Sequence, residues 1–210
     1  QRFEDGSYFY YYANGMNIGS KKDGKEINPY LICDATDFNF YFASQATDSI
    51  VDSKYYRIVG DIDFKDISYE IATSGTSLHN VTIDGNGFTL SGIRLSDSEV
   101  GKQNSVGLFS KIYSKNTSTN NISEDGYSTI LNLRLDIEEG TALNATYIGG
   151  LAGVIEDTNL INIDITGDAI FQSFNVAGGL AGIVTGDSRI LNVTSSIGAQ
   201  AVYKSSSTID

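Results

Sequence analysis

Asp61, Asp63 and Asp84, with Arg94 a short distance further on, are the side chains of this sequence whose types could do chemistry together. Clustered carboxylates with a nearby cation are what a polysaccharide lyase or hydrolase uses to move protons at a glycosidic bond, and the same oxygens would suit calcium. Their local contexts favour a plainer role. Asp61-Ile62-Asp63 lacks the glycine and distal glutamate of an EF-hand loop, and Asp-x-Asp and Asp-Gly are common turn sequences. His79 is the sole histidine and Cys33 the sole cysteine. Neither sits in a nucleophile elbow, a triad or a zincin pair, so His79 reads as a turn residue and Cys33 as a small buried side chain. The expectation is a non-enzyme with no cofactor, calcium at Asp61, Asp63 and Asp84 being the alternative.

Charge narrows the partners. The 210 residues carry a net charge of -12 and no basic run longer than Lys21-Lys22. Such a field repels phosphate backbones, which excludes nucleic acid and a polybasic membrane contact. The longest apolar stretch, from Val176 to Val184, is broken by glycines and is far too short to span a bilayer, so no membrane insertion is expected. Residue 1 is not Met, and the chain reads as a mature or excised piece of a longer polypeptide.

Binding candidates come from two segments. Tyr8, Tyr10 and Tyr12 lie in an aromatic run that could stack on sugars or proteins, or serve as a plug at one end of the fold; the plug is favoured. Asn116, Asn120 and Asp125 lie in the polar run Lys115 to Ser128, which should project as a loop.

The elements that would position these residues are visible as a repeat. Ile148-Gly149-Gly150-Leu151-Ala152-Gly153-Val154-Ile155 returns as Ala177-Gly178-Gly179-Leu180-Ala181-Gly182-Ile183-Val184, and a degenerate copy begins at Val106-Gly107-Leu108-Phe109. A second series, Ile130-Leu131-Asn132-Leu133, Leu160-Ile161-Asn162-Ile163 and Ile190-Leu191-Asn192-Val193, keeps the same phase. Two series sharing a period of about 29 or 30 residues identify a solenoid. The first copy carries about 13 extra residues between Gly107 and Asn132, which the polar run accounts for.

Alternation of apolar and polar residues along Leu131/Leu133/Leu135/Ile137 and Ile161/Ile163/Ile165 makes the repeats strands. With 22 Gly, one Pro and no Trp, the composition agrees. The expected fold is all-β, a right-handed single-stranded parallel β-helix with an N-terminal strand and helix cap. Residues 1–60 form the aromatic-rich cap, with a helix from Ala35 to Ala46 capped by Asp34 or Thr36, and residues 61–210 form the coils. Gly107, Gly149, Gly150, Gly153, Gly178, Gly179 and Gly182 are expected to allow close packing between coils, and Asn132, Asn162 and Asn192 to form a ladder facing either inward or outward.

At the Gly-Gly-Leu-Ala-Gly copies and the Ile/Leu-x-Asn strands, the sequence resembles the GLUG-repeat proteins of bacterial surfaces and secretions. Asn28-Pro29-Tyr30-Leu31-Ile32, Tyr55-Tyr56-Arg57-Ile58-Val59-Gly60-Asp61-Ile62-Asp63-Phe64 and Thr82-Ile83-Asp84-Gly85-Asn86-Gly87 look like the capping and first-coil segments ahead of such repeats. The resemblance implies a secreted or cell-surface location and an adhesin-like binding or spacer role toward a host or matrix protein or glycan. It also touches the non-catalytic N-terminal region of immunoglobulin A metallopeptidases, which implies an accessory-domain alternative; a carbohydrate-active β-helix enzyme is the third reading.

Overall fold

The computed structural model describes residues 23–43, 50–65, 76–96, 105–114, 126–141, 145–173 and 175–201. The chain winds as a parallel β-solenoid of about four turns. One face is a sheet in which Tyr30–Ile32, Tyr55–Ile58, Thr82–Asp84, Ser128–Thr141, Thr158–Thr166 and Arg189–Ser195 lie side by side. A second stacks Ile50–Asp52, Ser77–His79, Phe109–Tyr113, Ala152–Glu156 and Ala181–Thr185, and a third stacks Ser105–Val106, Tyr147–Gly149 and Val176–Gly178. Neighbouring strands within the three sheets run parallel, because each is the same stretch of the coil one turn later. The first two strands of the wide sheet fall within residues 1–60, so stacking begins beside the cap.

The repeat period sets the register. Ile130 pairs with Leu160 and then Ile190, and Ala152 with Ala181, so like residues stack on like. At the start of the wide sheet the offsets are shorter: Tyr30 pairs with Tyr56 and Tyr56 with Ile83, against the 30-residue step from Ile130 to Leu160. The core is a column of aliphatic side chains, Ile130, Leu133, Leu135 and Ile137 in one coil over Leu160, Ile163 and Ile165 in the next, all buried.

Leu131 and Ile161 differ from the simple alternation: they are only partly buried, and the residues before them, Ile130 and Leu160, point inward instead. The cause is the asparagine that follows. Asn132, Asn162 and Asn192 have φ of 53°, 55° and 52°, the left-handed region, and one such residue resets which side of the strand the next side chain takes. Each strand therefore bends at its asparagine.

The cap helix forms where the sequence suggests, and Ser44, Gln45 and Ala46 at its expected end lie outside the described residues. Asp34 accepts from the Asp37 backbone N–H at 2.9 Å as N-cap, Ala35–Phe38 is α-helical, and Asn39–Ala43 continues as a π turn. Phe38 and Phe42, one turn apart, lower their rings into the end of the barrel of coils. Phe38 packs against Phe64 at 5.2 Å, and Phe42 against Phe109 at 5.3 Å. Phe109 pairs with Ala152, so the large ring in the degenerate repeat fills the space beneath the cap where the next coil needs only a methyl group.

The glycine positions are tight corners. A Cβ on Gly107 would lie 2.5 Å from Ala152 Cα, and one on Gly150 would lie 2.6 Å from Gly179 O, so any side chain there would force coils apart. Ser128 donates its backbone N–H to Ser114 Oγ and its hydroxyl to Tyr113 O at 2.8 Å, so the described residues flanking the inserted run are hydrogen-bonded to one another. Covering falls away at the last coil. Leu160 is fully buried, whereas its register mate Ile190 is 50% exposed.

Candidate functional site

The asparagine ladder lies on the outside of the solenoid. Because the left-handed residue bends each strand, its side chain projects along the corner toward the same residue one coil below. Asn192 Nδ2 donates to Asn162 Oδ1 at 3.0 Å, and Asn162 Nδ2 donates to Asn132 Oδ1 at 2.9 Å. Asn132 Nδ2 donates to Asp84 Oδ1 at 3.3 Å, and Arg57 Nε holds the other oxygen of Asp84 at 3.2 Å. The ladder thus runs one way and ends on a carboxylate held by a guanidinium.

Beside it the bend leaves a groove of about 380 Å³. One wall is the three asparagines; the other is Arg134, Asp164 and Thr194, one from each successive coil, with Gly87 at the lower end and Ile163 also lining it. Thr194 Oγ1 donates to Asp164 Oδ1 at 2.5 Å. Arg134 stands opposite Asp164 on the neighbouring strand and closes no ion pair among the described residues.

The carboxylates singled out for catalysis or calcium are spread along the coils and are engaged locally. Asp61 Oδ1 accepts the Thr89 backbone N–H at 2.8 Å, and Asp63 Oδ1 accepts that of Lys65 at 2.9 Å. Asp84 Oδ1 also accepts the Asn86 N–H at 2.9 Å, the turn chemistry that Asp-Gly suggests. Arg94 reaches Glu138 Oε2 at 3.4 Å, and Lys65 Nζ holds Oε1 at 2.6 Å. Lys65 and Arg94 together keep the Glu138 carboxyl below its ordinary range. Among the described residues, no three His, Cys, Asp or Glu side chains gather to hold a metal ion.

His79 is not a turn residue. It ends the strand Ser77–His79, in register with Asp52 on one side and Tyr113 on the other. Its Nδ1 lies 2.8 Å from Asp52 Oδ1, and its ring lies 4.7 Å from that of Tyr113. Lys111 Nζ sits 4.6 Å over the Tyr113 ring and 2.6 Å from Glu156. Burial raises the Tyr113 hydroxyl pKa, and the charges of Asp52 and Glu156 raise it further. Cys33 is half-buried beyond the first strand, where burial and then the charge of Asp37 push its thiol well above the usual range, which disfavours the thiolate.

Sequence reasoning missed Arg134, Asp164 and Thr194. Arg134 and Asp164 stand in the same register as polar members of alternating strands, and that shared phase was the available signal. Tyr8, Tyr10, Tyr12, Asn116, Asn120 and Asp125 lie outside the described residues. Among the described residues no helix is long and apolar enough to cross a membrane. No family model, curated protein or solved structure matches the chain.

Proposed function

We propose that this chain is an extracellular, adhesin-like β-solenoid module that binds a host or matrix partner and performs no reaction of its own. The observation that carries the reading is the outer groove, where uncharged amides, the Arg134 guanidinium and the Asp164 carboxylate converge on one corner of the stacked strands. A site built on stacked strands holds its geometry without ordering cost when a ligand arrives. The similarity of the Gly-Gly-Leu-Ala-Gly copies to GLUG-repeat surface proteins supports the extracellular setting. The engagement of Asp61, Asp63 and Asp84 in backbone and side-chain hydrogen bonds supports binding over hydrolysis.

The test is a panel of immobilised glycans and matrix proteins probed with the chain and with Arg134→Ala. Retention on at least one ligand, weakened in the variant, is expected. Retention on none, or retention that Arg134→Ala leaves unchanged, overturns the assignment to the groove.

A further inference from the structure

Resting on the groove as the binding surface, we infer that its ligand is an unbranched, uncharged glycan lying along the solenoid axis, one sugar ring per coil. The hydrogen-bond inventory comes first. An amide offers two N–H donors and an oxygen with two lone pairs. In the ladder Asn162 uses one donor toward Asn132 and one acceptor toward Asn192, so one of each remains for a ligand. The ladder therefore presents a donor and an acceptor side by side at each rung, which is the pairing that neighbouring sugar hydroxyls complement.

Spacing comes second. Coils stack at ~4.8 Å, and the rungs repeat at that interval. A pyranose in a linear glycan advances by close to one such step. An extended peptide lying along the same groove advances by only ~3.3 Å per residue and would fall out of register within two rungs. Across the groove Arg134, Asp164 and Thr194 follow the same interval, supplying a donor, an acceptor and a hydroxyl to the far edge of successive rings.

Charge comes third. Among the described residues Arg134 is the only cation lining the groove, Asp164 faces it, Asp84 closes the lower end of the ladder, and the chain as a whole carries -12. A polyuronate or sulfated chain would meet the Asp164 carboxylate and the negative field of the chain, whereas a neutral glycan is repelled by neither.

Isothermal titration with unbranched neutral hexose and N-acetylhexosamine oligosaccharides of increasing length, alongside polygalacturonate, tests this at low and high salt. Neutral oligosaccharides should bind with an affinity that grows up to about three units, matching the three asparagine rungs, and that salt leaves unchanged. Asn162→Gly, which keeps the left-handed backbone and removes the amide, should weaken binding about tenfold. Asp164→Asn is the second variant and decides the matter if Asn162→Gly unfolds; it too should bind several-fold more weakly. Preference for polygalacturonate with steep salt dependence, or neutral binding untouched by Asn162→Gly and Asp164→Asn, overturns the inference. If the panel instead yields an Arg134-dependent protein or acidic ligand and the neutral series does not bind, the inference falls while the binding role of the groove stands. If nothing binds, both fall.

Discussion

Replacing Gly149 by alanine should separate the coils. A Cβ there would overlap Ala181 Cα and Ala152 O and lie 2.6 Å from Ala181 C. Each of these is backbone, so no side-chain rotation relieves the contact. Restoring ordinary van der Waals distance requires the last coil to rise by about 1 Å. The nearest inter-coil bonds, Gly150 N–H to Gly179 O at 3.2 Å and Leu151 N–H to Leu180 O at 2.9 Å, would then be lost or badly stretched. Overpacking costs about 1–3 kcal/mol, and two weakened backbone bonds add roughly 1 kcal/mol each, for an expected loss of about 3–5 kcal/mol. Gly87→Ala is the control. A Cβ at Gly87 meets nothing within 4 Å, but its φ of +79° charges alanine the left-handed penalty of about 1–2 kcal/mol. Urea unfolding followed by circular dichroism gives both values from the midpoints at a common slope. If Gly149→Ala proves no less stable than Gly87→Ala, the close-approach account of the glycine series is wrong.

Leu160→Ala should cost about 2–5 kcal/mol and Ile190→Ala less than half as much, since the first site is sealed by the coil above and the second is half exposed; the same urea titrations compare them. At the ladder, Asn162→Ala should destabilise by about 1 kcal/mol more than Asn162→Gly, because both lose the amide and only alanine resists φ of 55°, a difference thermal melts can read. Phe38→Ala, which removes the ring packed against Phe42, Phe64 and Phe109, should lower stability by about 3–5 kcal/mol and raise hydrogen exchange in the strand Tyr30–Ile32 before the strand Thr158–Thr166. Glu138 has its carboxyl pKa depressed by Lys65 and Arg94, so its contribution is present above the ordinary carboxylate range and fades as pH falls through the lowered value. The melting temperatures of the wild type and Glu138→Gln should therefore differ at neutral pH and low salt, and converge in acid.

The later coils were legible because their sequence and their geometry share one period. Gly150 and Gly179, or Asn162 and Asn192, can be aligned by eye, and the structure stacks them. The plug was legible from Phe38 and Phe42 at helical spacing. Three things were hidden. The first coils have shorter offsets, so Asp52 beside His79 and Arg57 beside Asp84 fall outside a search tuned to 29 residues. Asp84 as the foot of the ladder was masked by the longer chain path there, which puts Asn132 48 positions after it. Finally, the left-handed backbone at each asparagine shifts the alternation by one, so Leu131 was read as inward when Ile130 takes that place. Pattern alone assigns an inside and an outside only while the backbone stays extended.

The stacking direction also decides how the chain answers a pull. Inter-coil hydrogen bonds point along the axis, and each coil is one continuous length of chain, so tension on the two ends peels coils off singly instead of shearing a whole sheet. A coil that adds ~4.8 Å to the folded length releases roughly 100 Å of extended chain when it opens. Each rupture therefore lengthens the tether about twentyfold relative to the coil it consumes. A surface held through such a module would feel sudden loads as a series of small yields, with the remaining coils, and the groove on them, still in register.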